Sequence, residues 1–114
     1  MKARDHLDYL QDILDSINDI DDFVHGMGRD AFLSDKKTIN AVVRSLEVIG
    51  EAAKGIPESV KKGNPDIPWK RMSGMRDKLI HEYSGVDLEV LWKTITDDLP
   101  PLRLSIQKLV EAGK

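Results

Sequence analysis

The chain has 114 residues, 40% of them hydrophobic and 32% charged, with a formal net charge of −3. That is the size of one domain, expected over residues 1–114, and the balance of a soluble globular chain rather than a disordered one. The absence of cysteine excludes disulfide frameworks, thiolate metal sites and cysteine nucleophiles, and the acidic net charge argues against a molecule that is a basic nucleic-acid binder throughout.

No apolar run reaches membrane-spanning length, and "MKARDHLDYL" lacks the hydrophobic region of a signal peptide. No membrane association and a cytoplasmic location are the expectations. The charge is unevenly spread. Residues 1–35 hold three basic residues (Lys2, Arg4, Arg29) against nine aspartates. Residues 61–78 hold six (Lys61, Lys62, Lys70, Arg71, Arg76, Lys78) against Asp66 and Asp77. A local positive patch can meet phosphates even on an acidic protein, although uneven charge is also common on small helical proteins.

The first helix is expected over about residues 3–25. Leu7, Leu10, Ile13, Leu14, Ile17, Ile20 and Val24 recur at helical spacing, and Asp5, Asp8, Asp12, Asp15, Asp19 and Asp22 run along the opposite side. The aspartates read as a solvated face or, alternatively, as a surface for a basic partner. "HGMGRDAF" interrupts the pattern with two glycines. Ser34 or Asp35 then suits the N-cap of a second helix running to about Lys54, with Ile39, Val42, Val43, Leu46, Ile49 and Ala53 as its apolar stripe. Gly50, Ala52 and Ala53 are small enough to admit a close neighbour. "GIPESVKKGNPDIPW" is turn-rich, with room for one short helical turn after Pro57. Pro68 opens a third long helix to about Tyr83. Asp87 caps a fourth over about 87–98, which turns Leu88, Leu91, Trp92 and Ile95 inward. Pro100 and Pro101 break it and open a last helix to about Ala112. No strand pattern is evident. The fold class is all-α, an antiparallel bundle of about four to five helices with short connections.

The third helix carries "RDKLIHEY", residues 76–83. On an ideal helix Met72, Leu79, Ile80 and Tyr83 lie within about 60° of Arg76. A guanidinium amid such an apolar stripe must be paired, reach out to solvent, or face a cleft or subunit interface. Asp77 and His81 are four residues apart and so are neighbours. A carboxylate there can fix the imidazole tautomer and favour its charged form. His81, however, lies about 140° from Arg76. One straight helix does not aim both at one point unless a helix end or a second subunit closes the gap. A histidine near a helix end can equally be a cap or a surface residue, and Tyr83 a core residue with its hydroxyl at the rim.

The segment resembles the R-x4-H-x-Y signature of HEPN-domain proteins, specifically the HepT-like toxins: Arg76, four residues, His81, Glu82, Tyr83. "VIGEAAKGIP", "IPWKRMSGMRDKLIHEYSGVD" and "LWKTITDDLPPL" are similar to the same family in order and spacing, from about Asp35 to Leu109. One departure is Asp77, where many members carry asparagine. The resemblance implies a single HEPN domain that forms a homodimer, with two copies of the Arg76–His81 motif lining a cleft between subunits. It implies a metal-independent endoribonuclease acting on RNA, transfer or messenger RNA among the candidates. It further implies the toxin of a toxin–antitoxin pair. The partner would be a minimal nucleotidyltransferase antitoxin, which transfers AMP to the motif tyrosine, Tyr83.

The residue chemistry suits these roles. Histidine titrates near neutrality, as general acid–base work requires, and arginine offers a fixed cation with paired donors for phosphate. Arg76 and His81 are the catalytic candidates, Asp77 a supporting residue that orients His81, and Lys70, Arg71 and Lys78 candidates for the RNA backbone. No cofactor and no metal site are expected: His6, His25 and His81 share no metal-binding spacing. The competing reading is a non-catalytic helical module that binds a nucleotide or a nucleotidyltransferase partner, with Arg76 as an anion clamp.

Overall fold

The computed structural model of the chain describes residues 4–74 and 87–113. Seven helical elements are named along them, and among the described residues there is no strand. They are α1 (His6–Val24), α2 (Arg29–Leu33), α3 (Lys36–Lys54), α4 (Glu58–Gly63), α5 (69–74 within the described residues), α6 (Leu88–Lys93) and α7 (Leu99–Ala112). A π-helical turn, Thr94–Asp98, joins α6 to α7. No described helix is long and apolar enough to cross a membrane.

α1 starts where its sequence supplies both halves of a capping box. Asp5 accepts from the Leu7 and Asp8 backbone N–H groups, and the Asp8 carboxylate accepts from the Asp5 N–H. Two members of the aspartate stripe are therefore helix-start devices. Asp12 pairs with Arg4 at 2.5 Å and Asp15 accepts from Gln11 at 2.8 Å. At α3 the cap is Asp35 rather than Ser34. Its carboxylate accepts from the Thr38 N–H at 3.1 Å, and that bond holds the carboxyl below its ordinary value. The cap is thus at full strength above the ordinary aspartate range and weakens as pH falls through the lowered value.

Leu10, Ile13, Ile17 and Ile20 of α1 pack with Val42, Leu46, Ile49 and Ala53 of α3 and Leu99, Leu102, Ile106 and Val110 of α7 in one buried cluster. Each set steps by three and four, so each helix buries a single stripe. Leu7, Leu14, Val24, Ile39 and Val43 border the cluster half-buried. α1 runs antiparallel to both α3 and α7. Near the start of α1, Tyr9 lies against Gly55 at the end of α3, where a Cβ would stand 2.8 Å from the ring. Leu7 likewise abuts Gly113 at the end of α7, while Asp21 near the end of α1 pairs with Arg103 near the start of α7.

α2 lies where the sequence pattern suggested only an interruption. Its single buried residue, Phe32, is fully enclosed and stacks on Trp92 of α6 with ring centres 5.2 Å apart. Arg29 grips the Glu89 carboxylate with two donors, Nε at 2.8 Å and Nη2. The turn that delivers α2 depends on Gly26. Val24 O accepts from Met27 N at 2.9 Å, His25 has φ −54° and ψ 126°, and Gly26 has φ +78°. That is a type II turn, which demands a positive φ at its third residue. A Cβ on Gly26 would touch nothing within 4 Å. Gly26→Ala is therefore expected to destabilise the chain by about 1–2 kcal/mol through backbone strain alone, read as a lower urea midpoint with unchanged slope. An unchanged midpoint would show that the turn tolerates a side chain.

The break expected at Pro100 and Pro101 is absent. Both prolines fall in the first turn of α7, and the backbone from Leu88 to Ala112 stays helical. In an α-helix a proline ring collides with the carbonyl four residues back. Here the preceding turn is widened, with Leu99 N–H donating to Thr94 O five residues earlier. The chain takes up the two prolines by this change of register instead of by ending the helix.

Candidate functional site

Arg76, Asp77, Lys78, His81 and Tyr83 all fall in residues 75–86, outside the described residues. The structure does define how that segment is entered and left. On the entry side, Ile67, Trp69 and Met72 are buried. The Trp69 indole N–H donates to the Asn64 carbonyl at 3.1 Å, and the Asn64 side-chain amide donates to the Val60 carbonyl at 2.9 Å. The corner between α4 and α5 is thus tied by one asparagine that serves both sides. Pro68 stands just before α5, its carbonyl accepting from Met72 N at 3.0 Å, so the helix begins at 69 rather than at the proline itself.

On the exit side, the Asp87 carboxylate accepts from the Glu89 and Val90 N–H groups at 2.9 and 3.3 Å and starts α6. Leu91 then enters the core. Both flanks of the motif segment are anchored to the core cluster.

Lys70 and Arg71 are exposed. They line an open groove of about 600 Å³ with Lys61 and Glu58 of α4, over a floor that includes Ile67 and Trp69. Lys61 Nζ lies 3.7 Å from Glu58 Oε1; the Glu58 side chain is 77% exposed and that of Lys61 21%, so the pair is weak and the lysine is half-buried in the groove wall. Arg71 also borders a second hollow of about 210 Å³, shared with Asp66, Asp97 and Asp98. Its Nη2 stands 3.4 Å from Asp98 Oδ2, a loose contact between exposed groups. Arg71 therefore separates a cationic hollow from an anionic one. Lys61 belongs to the basic run of residues 61–78, but the sequence pattern gives it no role. The signal it lacked was the corner at Asn64, which brings α4 beside α5. Asp98 gave no sequence signal at all, since its place depends on the π-helical turn.

Such a groove can hold an extended anion by its backbone charges, over an apolar floor. A family model described as "Ribonuclease HepT-like" matches residues 13–109. The chain is 52% identical over 106 residues to a Thermococcus cleftensis protein named "Probable ribonuclease HepT", covering 93% of this chain and 96% of that one. It is 44% identical over 111 residues to a Methanocaldococcus jannaschii protein named "Putative RNase MJ0127", covering 97% and 92%. It is 39% identical over 106 residues to a Caldanaerobacter subterraneus protein named "Putative RNase TTE0752", covering 93% and 95%. No solved structure matches the chain significantly.

Proposed function

Because this chain belongs to the ribonuclease HepT-like family, we propose that it is a metal-independent endoribonuclease whose catalytic pair is Arg76 and His81. The observation that carries this reading is the family match over residues 13–109, which encloses the R-x4-H-x-Y motif intact. In the reaction, the RNA 2′-oxygen attacks the adjacent phosphorus, the bond from phosphorus to the 5′-oxygen breaks, and a 2′,3′-cyclic phosphate and a 5′-hydroxyl result. The 2′-hydroxyl must lose a proton and the leaving 5′-oxygen must gain one. His81 serves in that transfer. Arg76 neutralises charge on the non-bridging oxygens with paired donors. Asp77 orients the imidazole, while Lys70, Arg71 and Lys78 hold neighbouring phosphates.

One imidazole cannot be both base and acid in a single step. A homodimer that lines one cleft with two motifs supplies the second histidine, and it also offers a place for a guanidinium set in an apolar stripe. The chain is then the toxin of a toxin–antitoxin pair, silenced by a minimal nucleotidyltransferase that adds AMP to Tyr83. The adduct puts phosphate charge where an RNA phosphate must sit.

The test is cleavage of cellular RNA in EDTA by a chain whose intact mass shows no AMP. Cyclic-phosphate ends would support the reading. A clean, folded dimer that cuts no RNA would leave a binding module instead. Tyr83→Phe is expected to keep cleavage within about threefold of the parent, since the phenol has no part in the transfer. It is also expected to gain no mass of AMP from the nucleotidyltransferase and to stay active in its presence. Full silencing of Tyr83→Phe by AMP transfer would move the modified site elsewhere.

A further inference from the structure

Resting on the ribonuclease reading, we propose that the groove between α4 and α5 carries the RNA backbone beyond the reacting phosphate, with Lys61 and Lys70 as its cations and Arg71 at its boundary. Lys61, fifteen positions before the motif arginine in "KKGNPDIPWKRMSGMR", belongs to no part of the motif. The fold brings it beside Lys70 and Arg71. The Asn64 corner folds α4 back beside the start of α5, and the same groove takes in Lys61, Lys70 and Arg71. Against these three cations the groove offers one carboxylate, the largely exposed Glu58.

On the other side of Arg71, the hollow formed with the π-helical turn presents Asp66, Asp97 and Asp98. A phosphate chain gains along the first surface and is repelled from the second. Two hollows of opposite sign that meet at one arginine therefore give the track a side. RNA follows the groove along α4 and is turned away from the hollow beside α7. Asp98, 3.4 Å from the Arg71 guanidinium, is the acid of that hollow nearest the boundary arginine.

The test uses the full chain and a 2′-O-methyl RNA, which lacks the attacking hydroxyl and so reports binding without cleavage. Affinity is followed by fluorescence anisotropy across salt concentrations. For single-stranded nucleic acid each phosphate contact contributes about 0.7 to the slope of log affinity against log salt, which is about fivefold in affinity at 0.1 M. Lys61→Gln and Lys70→Gln are each expected to weaken binding about fivefold at that salt and to lower the slope by about 0.7. Asp97→Asn, in the acidic hollow, is expected to bind no more weakly than the parent. Lys70→Gln and Asp97→Asn should melt within a few degrees of the parent, because those side chains are exposed, and Lys61→Gln, which puts a polar side chain of similar reach at a half-buried position, is expected to stay folded at the assay temperature.

Parent-like affinity and slope in both lysine variants, from a parent that cleaves ordinary RNA in EDTA, would overturn the track and leave the ribonuclease standing. Weaker binding on Asp97→Asn would put the RNA on the wrong side and overturn it equally. A parent that neither binds the 2′-O-methyl RNA nor cleaves ordinary RNA would remove the ribonuclease reading itself.

Discussion

His81→Ala is expected to lower RNA cleavage in EDTA by about 10²–10⁴-fold, the range lost when a positioned general acid or base is removed. The expectation follows from the chemistry of the attack. A 2′-hydroxyl is a poor nucleophile while it keeps its proton, and an alkoxide is a poor leaving group until it gains one. Among the three histidines only His81 sits in the motif, and no cysteine is present to substitute. Arginine stays charged at any working pH and cannot carry the proton. RNA binding should survive in His81→Ala, because the basic groove lies on α4 and α5. The measurement compares parent and variant on the same RNA, both shown by intact mass to carry no AMP, with the cyclic-phosphate end scored chemically. Equal rates in the two chains would remove the histidine from the mechanism and with it the proposed route.

The second large effect lies far from the motif. Phe32→Ala is expected to destabilise the fold by about 3–5 kcal/mol, a large share of the roughly 5–15 kcal/mol by which domains are stable. Phe32 is wholly enclosed, and its ring meets Trp92 in a tilted stack. Truncation leaves a hollow under α2 and strips that face of the indole. The salt bridge beside it cannot compensate. Arg29 and Glu89 are about half exposed, and a pair of that kind contributes about 1 kcal/mol or less. Urea unfolding of parent, Phe32→Ala and Arg29→Ala would separate the two contributions. A loss below about 1 kcal/mol in Phe32→Ala would mean that α2 is packed on the bundle without holding it.

Phe32 also marks what the sequence withheld. The long helices were legible because Leu10, Ile13, Ile17 and Ile20, or Val42, Leu46, Ile49 and Ala53, repeat often enough to reveal a period. α2 has five residues and one buried side chain, so it has no period to read, and two nearby glycines disguise it as a loop. Pro100 and Pro101 misled for a different reason. Proline rules assume α register, and the widened turn before them changes that register. Of the candidate site, the motif stands in the sequence as a spacing of residue types, Arg76, His81 and Tyr83, and lies outside the described residues. Lys61 was not legible, because its place at the groove depends on hydrogen bonds from Asn64 and Trp69 that no periodicity encodes.

The π-helical turn also sets the angular frame of the second half of the chain. Leu91 and Val110 are both buried in one core, nineteen positions apart. On an uninterrupted α-helix at about 100° per residue, that separation would leave them about 100° out of phase. A turn holding one extra residue takes back about the same angle. The turn thus behaves as a one-residue insertion whose rotation cancels an accumulated drift; removing a single residue there would keep α7 facing α1 but would return Pro100 and Pro101 to an α register in which their rings meet the carbonyls four residues back. Related chains one residue shorter at Thr94–Asp98 should therefore lack the proline pair that the wide turn accommodates here.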